Sequence, residues 1–266
     1  MTIIYNQPAA DYFAIEALSA SGAKLLNRSA AHYLHNKAEP PKPSSAQAFG
    51  TLVHCLVLEP NSVHGRYMTS PKFDRRTTVG KTQAANFEAS VGDRTVVDLD
   101  DYQRAQRAAT AVREHPTARS LLTHAGHREA TATWGQYGVV CKARLDAFGD
   151  DIIVDLKTAR DASPVGFARA AAVYQYHAQA AHYLNAPISP SPAARKFYFI
   201  AVEPVAPFNV AVYELTHNDI LAGRAIMEAA AKVYETLSNR ATRSWPGYPV
   251  GVNTISLPFN GGSDAE

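Results

Sequence analysis

The sequence predicts an α/β (α+β) fold: a central mixed β-sheet flanked by helices, with additional helices at the N-terminal end. Three observations predict it. The first 125 residues carry mostly helical signals. Alternating apolar residues begin at His127 and run through three strand-like segments. A long helical run then separates those from two further strands. The order is helices, three strands, helix, two strands, helix. It lacks the regular βα alternation of a doubly wound dinucleotide fold, and neither GxGxxG nor GxxxxGK[ST] occurs.

Ser19–Lys37, SASGAKLLNRSAAHYLHNK, reads as short helices separated near Asn27–Ser29. AEPPKPSS (Ala38–Ser45) is a proline-rich connector that cannot be helical. AQAFGTLVHCLVLEP is a helix from Ala46, ended by Pro60. Residues 61–82 read as loop, with basic residues Arg66, Lys72, Arg75, Arg76 and Lys81. Asp100–His115 is a helix with an acidic first turn, and Pro116–Thr123 restarts with proline at a first-turn position. From His127, REATATWGQYG alternates, then VVCKARLDAF (Val139–Phe148) does the same. Gly149-Asp150-Asp151 makes a hairpin turn into a strand over Asp151–Thr158. Ser163-Pro164 caps one long helix, Val165–Leu184. The loop NAPISPSPAARK leads to strands at Lys196–Pro204 and Phe208–Leu215. A last helix spans Asn218–Asn239, and WPGYP (Trp245–Pro249) opens an irregular tail. The chain is expected to be one domain: a mainly helical part over 1–125, sheet and helices over 126–250, and a flexible tail over 251–266.

Composition sets outer limits. Of 266 residues, 46% are apolar and 19% charged, which suits a globular protein with a sizeable core. The net charge of +2 announces no global affinity for nucleic acid, so any basic groove is local. Arg outnumbers Lys 17 to 9, which favours phosphate contacts mildly. Cys55 and Cys141 form no CxxC pair, so neither a disulfide framework, a zinc knuckle nor a cysteine-held iron–sulfur cluster is expected. The segment MTIIYNQPAADYF lacks the features of a signal peptide, and no apolar run reaches the ~18 residues of a membrane span. A cytoplasmic protein is expected.

The chemistry centres on GDDIIVDLKTARD. Asp155 and Lys157 are two apart on a strand and point together where it emerges. Alone, Asp-x-Lys means little: 13 Asp and 9 Lys in 266 residues give ~0.4 chance occurrences. The bland reading is a solvated ion pair worth under ~1 kcal/mol. Four features shift the balance. Asp146 lies nine residues before Asp155, across the hairpin, and two adjacent carboxylates repel unless a cation such as Mg²⁺ neutralises them. Gln179 and Tyr183, four apart on the following helix, share a face and need polar partners. His54 sits mid-helix among apolar residues, a core histidine or a ligand. Glu129 begins the first strand of the meander, at the edge of the same region.

GTLVH, then E-x-T-x-x-W, R-L-D, D-L-K-T and Q-x-x-x-Y together resemble the PD-(D/E)xK nuclease superfamily, with its restriction-endonuclease-like core. Within it the chain is similar to the exodeoxyribonuclease VIII-like branch of phage and prophage recombination exonucleases. FGTLVHCLVLEP, HREATATW, CKARLDAF, IIVDLKTA, YQYHAQAAHY and FIAVEP carry the resemblance, with LSASGAKLLNRSAAHYL at its start and WPGY at its end. It runs from about Leu18 to Tyr248.

The resemblance implies a single nuclease domain in which Asp146 and Asp155 are metal ligands, joined by the Leu156 carbonyl. His54 is a ligand or its close neighbour, Lys157 orients the attacking water, and Gln179 and Tyr183 hold substrate near the cleaved bond. Glu129 assists at the metal. It further implies Mg²⁺, with Mn²⁺ as substitute, 5′→3′ attack on double-stranded DNA ends, a ring-shaped homo-oligomer and a single-strand annealing partner. The second acid is Asp where much of the superfamily has Glu. The alternatives are an endonuclease of the same superfamily, a non-catalytic DNA-binding module, and a Schiff-base enzyme using Lys157. Nothing else in the sequence supports the last.

Overall fold

The computed structural model describes residues 2–188, 195–238 and 247–254. Its elements are β1 (Thr2–Tyr5), α1 (Ala9–Ala14), α2 (Ala20–Arg28), α3 (Ala30–Ala38), α4 (Ser45–Leu58), α5 (Val63–Arg66), β2 (Tyr67–Ser70), α6 (Thr78–Val91), β3 (Thr95–Asp98), α7 (Leu99–Glu114), α8 (Pro116–Ala125), β4 (His127–Gln136), β5 (Val139–Phe148), β6 (Ile152–Thr158), α9 (Pro164–Val173), α10 (Tyr176–Leu184), β7 (Lys196–Val202), β8 (Val210–Glu214) and α11 (His217–Ser238). Six strands form one mixed sheet in the order β1-β4-β5-β6-β7-β8, and β2 pairs with β3 in a separate parallel ribbon. All pairings in the large sheet are antiparallel except β6 with β7, which α9 and α10 connect.

Local chemistry sets the helix boundaries. Ser44 and Gln47 form a reciprocal capping box at the start of α4. Ser19 caps α2 and Ser163 caps α9, whose first residue is Pro164. Ser29 ends α2 and caps α3, which separates the two short helices.

The sheet divides two apolar cores. Ile153, Phe197, Phe199 and Ala201 face one core with α2, α10 and α11. Ile152, Val154, Leu156, Ile200 and Val202 face the other with α4, α7 and α8. This is the period-two alternation of strands buried on both sides. On β5 the phase reverses: Leu145 belongs to the first core, yet Ala147, two residues on, belongs to the second. The reversal falls at Asp146, and Glu129 opposite it has φ 46°.

Several expectations need correction. Residues 61–82 are not simply loop: they contain α5, β2 and the start of α6. Only Gly80 and Ala84 of α6 are buried, so its sequence shows little helical periodicity. The single helix over Val165–Leu184 is two, because Gln175 adopts a left-handed backbone at φ 51°, ψ 48° between α9 and α10. The sheet gains β1 at its edge, a four-residue strand with little sequence signal. Part of the proline-rich loop after α10, Asn239, Trp245 and residues 255–266 of the expected flexible tail lie outside the described residues. Among the described residues, no helix is long and apolar enough to cross a membrane.

Candidate active site

The site forms where two paired strands separate. The β5–β6 ladder holds Phe148 opposite Ile153 and Ala147 opposite Val154, then stops. The next pair in register is Asp146 and Asp155. On the other side of β5, the register places Glu129 opposite Asp146, between the Arg128–Ala147 and Ala130–Leu145 pairs. One carboxylate therefore stands between two others. Leu156, on the separating stretch of β6, donates its N–H to Asp146 Oδ2 at 2.8 Å.

Helix α4 closes the gap from above. A Cβ on Gly50 would lie 3.0 Å from Thr158 Oγ1, so the absence of a side chain there lets α4 settle against the end of β6. One helical turn on, His54 shares that face. Its Nδ1 lies 3.5 Å from Asp146 Oδ2, and its side chain is 27% exposed, so it opens to the site rather than staying sealed in the core. His54, Glu129 and Asp146 offer ligand atoms within 4.8 Å of one another.

Asp155 is 2% exposed. Gln179 Nε2 donates to its Oδ1 at 2.8 Å, and Lys157 Nζ forms an ion pair with its Oδ2. That Oδ2 is buried and accepts no well-directed hydrogen bond. Tyr183 is buried behind, beside Gln179. The helix break at Gln175 sets Tyr176, Gln179 and Tyr183 at i, i+3 and i+7 on α10, a single face toward β6. The structure thus brings His54, Glu129, Asp146, Asp155, Leu156, Lys157, Gln179 and Tyr183 together. The tight three-ligand cluster contains Glu129, and Asp155 is held by Gln179 and Lys157 beside it.

The electrostatics show which charges are balanced. Burial, then the Asp155 carboxylate, push Asp146 up to about 7. Burial and Asp146 likewise raise Glu129, although Arg144 Nε pairs with Glu129 Oε2 at 2.9 Å. Burial and then Lys157 lower His54, which keeps the imidazole neutral and able to ligate. Burial would lower Lys157 as well, but Asp155 and Asp146 override it and the ammonium is stabilised. Glu129 has Arg144 and Asp155 has Lys157. Asp146 touches a neutral imidazole and a backbone N–H, and feels Lys157 and Arg144 without forming an ion pair with either. A largely buried carboxylate among carboxylates, facing a neutral imidazole, is an oxygen-and-nitrogen donor set suited to a cation. It fits a divalent metal ion, and the residues alone do not specify which.

Three neighbours escaped the sequence reading. Arg144 is two residues before Asp146, and that spacing was the available signal. Tyr176 receives Lys157 Nζ at 5.0 Å from its ring centroid. Lys24 of α2 lies over the same ring at 5.6 Å, and nothing in its local sequence marks it. Burial, then Lys157, pull Lys24 down to about 8.

Residues 19–256 match the model of the family described as "PDDEXK-like domain of unknown function (DUF3799)". No curated protein matches the chain. A crystal structure from Eubacterium rectale, named "Putative exonuclease", superposes with a TM-score of 0.67 at 13% identity, covering 96% of each chain. At that identity it shows the shared fold. The protein SSO0001 matches with a TM-score of 0.31 at 17% identity, over 73% of this chain and 88% of that one. The family match spans most of the sequence, and the sheet, its splayed strands and the Asp155-x-Lys157 pair agree with it: the chain belongs to the PDDEXK-like family of the PD-(D/E)xK nuclease superfamily, with a restriction-endonuclease fold.

Proposed function

We propose that the protein is a Mg²⁺-dependent exodeoxyribonuclease that degrades one strand of linear double-stranded DNA from an end, in the 5′→3′ direction. The exposed single strand would serve recombination. The observation that carries this reading is the Asp146 carboxylate without its own cation, set between Glu129 and Asp155 and faced by neutral His54. The resemblance to exodeoxyribonuclease VIII-like enzymes and the name given to the Eubacterium rectale neighbour support an exonuclease.

In this reading Asp146 and Asp155 hold the metal with His54, Glu129 and the Leu156 carbonyl around it. When bound, the divalent ion supplies charge that neutralises phosphate oxygens and lowers the pKa of water. The remaining work falls to the protein. Gln179 fixes Asp155, and the buried Tyr183 packs beside Gln179. Lys157 stays charged at neutral pH, so it steadies developing negative charge and orients water rather than accepting its proton. The water oxygen bonds to phosphorus as the bond to the 3′ oxygen breaks, and the water's proton ends on the departing 3′ oxygen, which leaves a 5′ phosphate and a 3′ hydroxyl. No covalent nucleophile takes part. A ring of subunits and a single-strand annealing partner belong to the same proposal and rest on the resemblance alone.

The test is digestion of 5′- and 3′-end-labelled linear duplex and of closed circular duplex, with Mg²⁺ or EDTA. Loss of linear DNA alone, dependent on Mg²⁺ and absent in Asp155→Ala and Lys157→Ala variants that remain folded, is expected. Nicked circles would make the protein an endonuclease, and duplex binding without cleavage would make it a binding module.

A further inference from the structure

Lys24 stands apart from the chain's other site cations. Lys157 has Asp155 and Arg144 has Glu129. Among the described residues Lys24 has no ion pair and no hydrogen bond. Its contact is the face of Tyr176, the ring that also carries Lys157. Two ammonium groups therefore share one ring, and the Lys157 charge opposes that of the half-buried Lys24, partly offset by the Asp155 carboxylate. A cation–π contact gives about 0.5–2 kcal/mol, a small return for a cation that burial and a like charge both oppose. Lys24 is also held on a fixed support. Ser19 caps α2, and Asn27 Nδ2 bonds the Ile226 carbonyl of α11 at 3.3 Å.

The adjoining surface is aromatic. Tyr174 stacks on Tyr176 with ring centroids 5.8 Å apart and planes 25° apart, and Tyr174 is 60% exposed. Tyr174 is displayed by the same helix break, in which Gln175 holds a left-handed conformation without being glycine. Such a residue costs roughly 1–2 kcal/mol. The strained break, the displayed ring and the unpaired ammonium meet at one corner, beside Lys157. An unpaired ammonium next to an exposed aromatic face offers complementary contacts to the two parts of a nucleotide: its phosphate and its base.

We propose that Lys24 and Tyr174 form a nucleotide-seating corner of the active site, Lys24 binding a backbone phosphate of the strand being cut and Tyr174 stacking on a base. The contact is independent of sequence. It positions the strand on Lys157 and the acidic cluster, and it extends the proposed nuclease function, on which it rests. Neither residue belongs to the metal cluster, so binding is measurable apart from cleavage.

The experiment is fluorescence anisotropy of a labelled duplex with a short single-stranded 5′ end, in Ca²⁺, over a series of salt concentrations. It compares wild type with Lys24→Gln, Lys24→Arg and Tyr174→Ala, each first checked for a wild-type melting temperature. Lys24→Gln should weaken binding about tenfold and reduce the slope of log K against log salt by ~0.7–0.9, the loss of one phosphate contact. Lys24→Arg should restore both. Tyr174→Ala should weaken binding at least fivefold with the slope unchanged. Equal affinity and slope in wild type and Lys24→Gln overturn the proposal for Lys24 while leaving the nuclease reading intact. Weaker binding of Lys24→Gln with an unchanged slope does the same, because the lysine would then act only on the fold. A Tyr174→Ala variant with wild-type affinity overturns the base-stacking half. A wild-type protein that neither binds nor cuts duplex overturns the nuclease reading and this corner together.

Discussion

Replacing Asp146 by asparagine should make the metal-free protein more stable while removing its response to metal. The native carboxyl, at about 7, holds its proton far more tightly than the ordinary 3.8 of the unfolded chain. Between those values the native state binds more protons than the unfolded state, so stability falls as pH rises through the window. The deficit is complete above pH 7. Each tenfold change in proton affinity is worth about 1.4 kcal/mol, so the charged form costs the native state up to ~4 kcal/mol at pH 8. The Asp146→Asn variant loses that cost and keeps an oxygen to accept the Leu156 N–H. With some loss of fit it should gain about 2–4 kcal/mol, or ~5–10 °C in melting temperature for a chain of this size. The assay is thermal unfolding at pH 8 in EDTA, repeated with Mn²⁺. Metal at a hundredfold excess over its Kd should raise wild type by about 2.7 kcal/mol and leave the variant unmoved. A variant that melts at or below wild type in EDTA, or that responds equally to Mn²⁺, would refute the argument that Asp146 lacks only its cation.

Gln179→Ala removes the donor that fixes Asp155, and cleavage should fall ~10–100-fold with the fold retained; an unchanged rate would show that Asp155 needs no such support. His182 is buried at about 4, through burial partly offset by its hydrogen bond to the Lys142 carbonyl. Its folded pKa lies below the unfolded value, so its contribution is intact above pH 6.5 and roughly 3 kcal/mol is lost as pH falls to 4. His182→Gln should flatten the wild-type acid slope in that window, seen by urea unfolding at several pH values, and an identical slope would contradict the assignment. A Cβ at Gly223 would lie 2.1 Å from the His177 carbonyl oxygen, so Gly223→Ala forces α11 off α10. It should lower stability by about 1–3 kcal/mol or more, and a wild-type urea midpoint would show that the helices have room to part.

Much of this site is legible in sequence because the hairpin is short. Once Gly149–Asp151 is the turn, counting outward places Asp146 opposite Val154 and next to Asp155; the connection is in fact the four residues Gly149–Ile152, and that shift of one brings Asp146 level with Asp155. Gln179 and Tyr183 are legible for a similar reason, since a spacing of four fixes a helical face. Glu129 is harder to read: its left-handed backbone accompanies a reversal of strand phase that no alternation pattern announces. The break at Gln175 is equally hidden, because VYQYH contains neither glycine nor proline, and tertiary packing of Tyr176 on Phe199 and Phe167 accompanies it. Lys24 reaches the site from a helix more than a hundred residues away, so only the fold shows it. β1 and α6 lack sequence signal because one is four residues long and the other buries only two positions.

The most direct test is a crystal soaked in Mn²⁺, with diffraction recorded at the manganese absorption edge. An anomalous peak is expected at coordination distance from the Asp146 carboxylate, bounded by His54, Glu129 and Asp155, with Lys157 beside it. A peak elsewhere, or acids that remain unliganded at saturating Mn²⁺, would contradict it.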